Sequence, residues 1–202
     1  SGWWKSITGA DFDNDGDIDY VVGNLGENTL FKASLDEPMV AYADDYDNNG
    51  MSDIIIGRYF ADEQGKRDLY PVHSADDLLK QVPVFVDRFP TYASYGRTTL
   101  EEVFTEAELA GSYRLEATCL STSYIENLGN GRFSLKRLPD RVQFAPVYGM
   151  IAHDIDEDGL TDLIIAGNDY GNNPYWGRYD ALNGLVLLNK GAGNWEVLTY
   201  PE

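Results

Sequence analysis

The sequence is poor in cysteine, histidine and basic residues. Of 202 residues, one is cysteine and two are histidine, and 15 lysines and arginines stand against 34 aspartates and glutamates. The single cysteine, Cys119, excludes a disulfide within the chain. The two histidines, His73 and His153, form no ligand-spaced cluster with it, so a zinc site is not expected.

The charge balance narrows the classes of partner. A net charge of −19 disfavours nucleic acid and anionic membrane surfaces, because both repel an acidic protein. The sequence has no apolar run of about 18 residues, so we expect no membrane insertion. A hydrophobic fraction of 43% is ordinary for a globular protein with a packed core.

The acidic residues cluster into three copies of one loop pattern, D-x-D-x-[DN]-G-x-x-D. The copies occupy residues 11–19, 45–53 and 154–162, here called the first, second and third loops. One such loop in an acidic protein would mean little. Three copies with the glycine in register predict three metal sites rather than three solvated turns.

The spacing matches the coordination chemistry of calcium. Ca²⁺ takes about six to eight oxygen ligands, whereas Mg²⁺ prefers a smaller octahedral shell with retained waters. Side chains at positions one, three, five and nine can curl around an ion, the glycine at position six allows the turn, and position seven offers its backbone carbonyl. We therefore expect about three Ca²⁺ ions, and the predicted ligands are Asp11, Asp13, Asp15, Asp17 and Asp19; Asp45, Asp47, Asn49, Met51 and Asp53; and Asp154, Asp156, Asp158, Leu160 and Asp162.

The residues after each loop predict a strand rather than a helix. An EF-hand loop carries glutamate at position twelve, but this chain has Val22, Ile56 and Ile165 there. Each lies in a short β-branched or aliphatic run that ends in glycine, which is typical of a buried strand. Each loop therefore joins two strands, and a calcium-triggered helix opening of the sensor type is not expected.

A second motif, N-x-G-x-G-x-aromatic, occurs at residues 127–133 and 189–195. Asparagine and paired glycines supply the positive φ angles of tight turns, and apolar residues flank both copies. Each copy therefore predicts a β-hairpin.

The segment 62–116 has a different, partly helical character. Ser74 stands three residues before Asp77, as a helix N-cap does, and Thr98 or Thr99 could begin a second helix. This gives a division into 1–61, the first repeat and the start of the second; 62–116, an insertion; and 117–202, the end of the second repeat and the third.

Together these features resemble the FG-GAP/VCBS repeat family. The resemblance rests on the acidic loop that leads into a strand and on the accompanying hairpins, and it covers about 1–60 and 117–200. It implies β-propeller-type blades with Ca²⁺ in loops between strands, as in integrin α-subunit heads and exported bacterial proteins. The fold class expected is mainly β, with about three blades and a partly helical insertion. Because a propeller closes with about four to eight blades, we expect a fragment of a larger propeller, an open three-blade piece, or associated chains.

The function expected is a calcium-stabilised, non-catalytic interaction module of an extracytoplasmic protein, secreted, periplasmic or at the cell surface, that binds a protein or glycan ligand. A first alternative is a carbohydrate-binding module attached to a glycan-processing enzyme. It is suggested by aromatic residues that could stack on sugars, which are Trp3, Trp4, Tyr170, Tyr175, Trp176 and Tyr179. A second alternative is a propeller enzyme of lyase or phosphatase type. No catalytic residues are predicted, because His153 adjoins the third loop and Ser74 is better explained as a helix cap.

Overall fold

A computed structural model describes residues 1–173 and 176–198. Within these residues the chain has 12 strands in three antiparallel four-stranded sheets and few helices, which confirms the mainly β prediction. The chain forms two compact units. No helix among the described residues is long and apolar enough to cross a membrane.

The double-sheet unit comprises Gly2–Leu30 and the chain from Leu120 onward. Its first sheet has the order β1-β2-β7-β8, with strands Ser6–Ala10, Asp19–Gly23, Ser123–Asn127 and Phe133–Arg137. Its second sheet runs in chain order from β9 to β12, with strands Gly149–His153, Asp162–Ala166, Leu185–Asn189 and Trp195–Val197. The first strands of the two sheets, β1 and β9, lie beside each other.

The first sheet is discontinuous in sequence. Its inner pair joins β2 to β7 through Tyr20–Ile125, Val21–Tyr124 and Val22–Ser123. The predicted division assigns residues 117–202 to the second and third repeats, whereas β7 and β8 complete the sheet of the first loop. The chain therefore leaves the first sheet after β2, forms the other compact unit with Phe31–Cys119, and returns to the first sheet at β7.

The single-sheet unit comprises Ser1 and Phe31–Cys119. Its sheet has the order β5-β4-β3-β6, with strands Arg67–Pro71, Asp53–Ala61, Met39–Asp44 and Tyr113–Ala117. The segment predicted as a partly helical insertion, 62–116, thus also contributes two strands, β5 and β6. Because β6 pairs with β3 rather than with β5, this sheet departs from the simple meander of β9–β12.

Short helices and the turns between them link β5 to β6, and this segment supplies nine of the fourteen buried residues in the unit's core cluster. The helices are α1 (Ala75–Gln81), α2 (Tyr92–Tyr95) and α3 (Glu106–Gly111), with 3₁₀ turns at Pro83–Arg88 and Glu101–Val103. Buried residues of this segment such as Leu78, Phe85 and Leu100 pack with Val40 and Ile55 of the sheet. Burying such side chains stabilises the unit by about 1.5–3 kcal/mol each.

Two helix starts compare directly with the sequence predictions. Ser74 caps α1 by accepting the backbone N–H of Asp77 at 3.1 Å, as predicted. Where Thr98 or Thr99 was expected to begin a helix, the structure has only the 3₁₀ turn Glu101–Val103, and Thr99 N donates to Glu102 Oε2 at 2.8 Å at its start. The next α-helix, α3, begins after Thr105, where Thr105 and Glu108 form a reciprocal capping box that satisfies two backbone N–H groups.

Both predicted hairpins are present. The turn between β7 and β8 has positive φ at Gly129, Asn130 and Gly131, and the turn between β11 and β12 has positive φ at Gly191, Ala192 and Gly193. The N-x-G-x-G spacing thus places glycine at two of the three left-handed positions in each turn.

His73 gives the single-sheet unit a pH dependence that can be measured. Its Nε2 accepts the backbone N–H of Ile56 at 3.1 Å, so the ring must be neutral at that nitrogen. Burial lowers the pKa of His73, although Asp77 opposes this. The unfolded chain, whose histidine pKa is about 6.5, therefore takes up a proton more readily than the folded chain. The contribution of His73 to the free energy of unfolding is fully present above about pH 6.5 and is lost as the pH falls below that value.

We therefore expect the urea concentration at the unfolding midpoint to decrease when the pH is lowered from 8 to 5.5 at constant calcium. In the variant His73→Gln most of this decrease should be absent. The matched control is His153→Gln, which changes an exposed histidine of β9 and should keep the fall. An unchanged pH dependence in His73→Gln would contradict the role assigned to His73.

Candidate metal centres

Each acidic loop joins two hydrogen-bonded neighbouring strands. The first loop connects β1 to β2, the second connects β3 to β4, and the third connects β9 to β10. The aspartate at position nine is the first residue of the following strand in every copy, as Asp19, Asp53 and Asp162. The ladder between the two strands therefore fixes both ends of each loop.

Two left-handed residues turn the backbone of each loop. Position six is glycine in every copy, with φ of 95° at Gly16, 86° at Gly50 and 87° at Gly159. Position four is also left-handed, with φ of 62° at Asn14, 58° at Asn48 and 60° at Glu157. Glycine and asparagine adopt this region more readily than glutamate, so the third loop has an unfavourable residue at position four.

Replacing Glu157 should therefore stabilise the protein. We expect Glu157→Asn to raise the free energy of unfolding by about 0.5–1 kcal/mol, because asparagine is better suited to positive φ. Denaturant titration in excess chelator measures the change without a contribution from metal. Glu157→Gln is the control that removes the same charge and keeps the side-chain length, and equal stabilisation by both variants would show that charge, not backbone conformation, is responsible.

The carboxylates curl inward through a set of bonds to loop N–H groups. In the first loop, Gly16 N donates to Asp11 Oδ2 at 3.0 Å, Asp15 N to Asp13 Oδ1 at 3.2 Å, and Asp17 N to Asp15 Oδ1 at 2.9 Å. The other two loops repeat these bonds at 2.8–3.3 Å, in the pairs Gly50–Asp45, Asn49–Asp47 and Met51–Asn49, and Gly159–Asp154, Asp158–Asp156 and Leu160–Asp158. Three different sequences thus reach one loop conformation.

Each loop brings three carboxylates together. In each group one oxygen per residue lies within 4.8 Å of the others, and the groups are Asp11, Asp13 and Asp15; Asp45, Asp47 and Asp53; and Asp154, Asp156 and Asp162. Lys190 Nζ lies 3.5 Å from Asp156 Oδ2 and so partly neutralises the third group. The oxygen-only donor sets suit a hard cation such as Ca²⁺.

Three carboxylate oxygens in these loops are buried without a hydrogen-bond partner. They are Oδ1 of Asp11, Asp17 and Asp154. Asp11 and Asp154 hold the same position in their loops and use the other oxygen, Oδ2, to accept the glycine N–H. A buried charged oxygen that lacks a donor is costly, and a bound cation would supply the missing partner, so the residues present fit a metal ion.

Position seven differs between the loops. The sequence predicts that only its carbonyl is used, leaving the side chain free to vary, and Met51 is indeed exposed. Asp17 differs because its carboxylate has one of the buried oxygens. The carbonyl contributions of Asp17, Met51 and Leu160 remain predictions.

The electrostatics of the loops reflect crowded negative charge. Burial raises the pKa of Asp13, Asp17 and Asp53 above the usual range, and neighbouring loop carboxylates raise it further in every case. For Asp53 the N–H of Tyr46 opposes this shift. A divalent cation among these groups would favour their ionised forms.

The aspartate at position nine of the first loop is also a structural anchor. Asp19 is 0% exposed. Its Oδ2 accepts Phe12 N at 3.2 Å and the Tyr124 hydroxyl at 2.8 Å, and its Oδ1 accepts Asn127 N at 2.7 Å. Burial and the Asp19 carboxylate raise the pKa of Tyr124, so the phenol stays protonated and donates.

Asp162 repeats this arrangement in the third loop. It is also 0% exposed, and it accepts Ile155 N and Asn189 N, both at 2.8 Å. In the second loop, Asp53 accepts Tyr46 N at 3.3 Å. The first asparagine of each N-x-G-x-G motif thus holds the last aspartate of an acidic loop, a link between the two motifs that sequence reasoning missed.

Aromatic residues at position two hold two of the loops in the cores. Phe12 packs edge-on against Tyr124 and Trp195, with ring centroids 6.0 and 5.6 Å apart. In the second loop Tyr46 contacts Phe85 and Phe104 at 5.8 and 5.0 Å. The sequence signal for this packing is the aromatic residue between two aspartates, because a large aromatic side chain gains free energy when it is buried.

Three of the residues weighed for zinc binding, catalysis or sugar stacking have structural contacts, and two others are exposed. Ser74 caps α1 and His73 accepts a backbone N–H. Tyr179 is buried, and its hydroxyl accepts from Thr29 Oγ1 at 2.8 Å. Trp4 and Tyr170 are 41% and 64% exposed, whereas Tyr175 lies outside the described residues.

Comparison of the chain with protein-family models, with curated proteins and with solved structures found no match.

Proposed function

We propose that this chain is a calcium-binding repeat module in which each acidic loop holds one Ca²⁺. The observation that carries the proposal is a shared loop conformation that converges three carboxylates in each copy and leaves Oδ1 of Asp11 and Asp154 buried without a donor. The residues that would hold the ions are the fifteen predicted above. The ion would supply positive charge and coordination where the protein supplies only acceptors.

The bound ions act on stability rather than on a reaction. Because each loop spans two paired strands, an ion that closes the loop also fixes the start of β2, β4 or β10. A ligand that binds only the folded state stabilises it by mass action. The proposed location is extracytoplasmic, where calcium is millimolar and sites with dissociation constants of about 10⁻⁴–10⁻³ M are occupied.

The three sheets are proposed to be propeller-type blades of the FG-GAP/VCBS kind. The meander of β9–β12, the adjacent first strands β1 and β9, and the position of each acidic loop between neighbouring strands support this proposal. The sheet of the single-sheet unit is a modified blade, because β6 lies beside β3 and helices follow β5. The module is proposed to be non-catalytic and to bind a protein ligand.

Terbium luminescence tests the metal proposal. Tb³⁺ occupies oxygen-lined calcium sites and emits when nearby tyrosine or tryptophan is excited, and Tyr46 lies within the second loop while Tyr124 and Trp195 contact Phe12 of the first. We expect sensitised emission that calcium displaces, and that equal magnesium displaces far less. Absence of sensitised emission, or equal displacement by both ions, would refute a calcium site.

A glycan ligand is the second candidate, and the exposure of Trp4 and Tyr170 favours it. Both belong to the double-sheet unit, and exposed aromatic faces stack on sugars. We expect retardation in polysaccharide affinity gels that Trp4→Ala and Tyr170→Ala reduce. Tyr113→Ala, which removes an exposed aromatic residue of the single-sheet unit, is the control, and equal effects of all three variants would reject this surface.

A further inference from the structure

The first and third loops lie side by side in the double-sheet unit and are joined by a direct hydrogen bond. Asn14 Nδ2, at position four of the first loop, donates to the carbonyl of Gly159, at position six of the third, at 2.9 Å. This contact joins the left-handed turns of the two loops. A change in the conformation of either turn therefore reaches the other directly.

A second connection runs through the core and uses one residue, Asn189, which is 1% exposed. Its side-chain Nδ2 donates to the carbonyl of Phe12 in the first loop at 2.6 Å and to the carbonyl of Thr161 in the third at 3.1 Å. Its backbone N–H holds Asp162 Oδ1 at 2.8 Å. One buried amide thus contacts both loops.

The connection continues to the carboxylate at position nine of each loop. Both backbone polar groups of Phe12 are held, because its carbonyl accepts from Asn189 and its N–H donates to Asp19 Oδ2 at 3.2 Å. The short path from Asp162 through Asn189 and Phe12 to Asp19 consists of buried groups. Hydrogen bonds in a low-dielectric interior are strong and costly to leave unmade.

We infer that the first and third loops bind calcium cooperatively, with Asn189 as the residue that couples them. The inference rests on the proposed calcium function. Ordering one loop around an ion fixes the Phe12 carbonyl and the Asn189 amide in the positions that the other loop requires. The second ion then binds to a loop that is already ordered and meets a smaller entropic cost.

The chain offers a matched control in Asn127, which starts the other N-x-G-x-G hairpin. Asn127 holds Asp19 through its N–H, and its Nδ2 donates to the carbonyl of Ile18 at 3.3 Å. These are the counterparts of the bonds from Asn189 to Asp162 and Thr161. The bond that distinguishes Asn189 is the one to Phe12 in the neighbouring loop.

The test is a thermodynamic cycle of calcium binding, measured by calorimetry on the full chain with the second loop disabled by Asp47→Ala. In this background Asp156→Ala disables the third loop and leaves the first to be titrated, and Asp13→Ala does the reverse. We expect each disabling substitution to weaken binding at the other loop by about 5-fold or more, and by the same factor in both directions, because coupling is reciprocal. Asn189→Ala should reduce that factor towards one, whereas Asn127→Ala should preserve it.

The outcomes separate the coupling from the function on which it rests. Calcium binding with affinities at each loop that do not depend on the other would overturn the coupling and leave the proposed function standing. If none of the proteins in the series binds calcium, both the coupling and the proposed function are overturned. If Asn189→Ala does not fold, the cycle built from Asp13→Ala and Asp156→Ala still decides, and the exposed contact is tested with Asn14→Ala, which should lower the coupling factor.

Discussion

Removing calcium should lower the melting temperature by on the order of 10 °C. At about 10 mM calcium and a dissociation constant of about 10⁻⁴–10⁻³ M, each occupied loop adds about 1.4–2.7 kcal/mol. A stability change of 1 kcal/mol shifts the melting temperature of a domain of this size class by about 2–8 °C. The double-sheet unit carries two loops and should respond more than the single-sheet unit, which carries one.

Calcium removal should lower the melting temperature because the loops bring carboxylates close together. Each group of three has oxygens within 4.8 Å, and burial together with mutual repulsion raises the pKa of Asp13, Asp17 and Asp53. Without a cation, folding must overcome this repulsion. Scanning calorimetry in calcium and in excess EGTA measures the shift, and equal magnesium is the control for a general ionic effect. Identical melting curves in calcium and EGTA would contradict the stabilising role.

Asp19→Ala should cost about 3–5 kcal/mol of folding free energy, even in excess chelator. The substitution leaves three donors without their acceptor, of which Phe12 N and the Tyr124 hydroxyl are buried and Asn127 N is part-buried. Each unsatisfied buried group costs about 1–3 kcal/mol, and changes above about 4 kcal/mol are exceptional. Urea titration with chelator present separates this structural loss from any loss of metal.

Asp15→Ala is the matched control for Asp19→Ala. It removes a carboxylate from the same loop, but Asp15 is exposed and accepts from a single loop N–H, that of Asp17. We expect it to cost less than about 1 kcal/mol in chelator and to weaken calcium binding at the first loop. Equal losses from both substitutions in chelator would show that Asp19 has no anchoring role beyond the loop.

The sequence predicts the local features because their signals are local. Glycine at position six of each loop, the N-x-G-x-G turns and the Ser74 cap each depend on φ preferences or on bonds across a few residues. Those features are present in the structure at the predicted residues. The mainly β class follows from the aliphatic runs after each loop, and three sheets confirm it.

The pairing of distant strands could not be predicted in the same way. The motif at 127–133 predicts a hairpin that includes β7, but it does not say that β7 pairs with β2, which precedes it by about 100 residues in the sequence. Likewise nothing in Tyr113–Ala117 specifies β3 rather than β5 as its neighbour. The asparagine of each hairpin motif suggested only a turn, whereas the structure also gives Asn127 and Asn189 the task of holding an acidic loop.

A count of bound ions shows whether each of the three loops, which share one conformation, holds a calcium ion. The protein is stripped with chelator, equilibrated with calcium by dialysis, and analysed for calcium per chain, with the triple variant Asp13→Ala, Asp47→Ala, Asp156→Ala in parallel. We expect about three ions per chain in the unmodified protein, in line with its three carboxylate groups, and close to none in the triple variant. No bound calcium, or the same amount in both proteins, would show that the loops do not hold calcium.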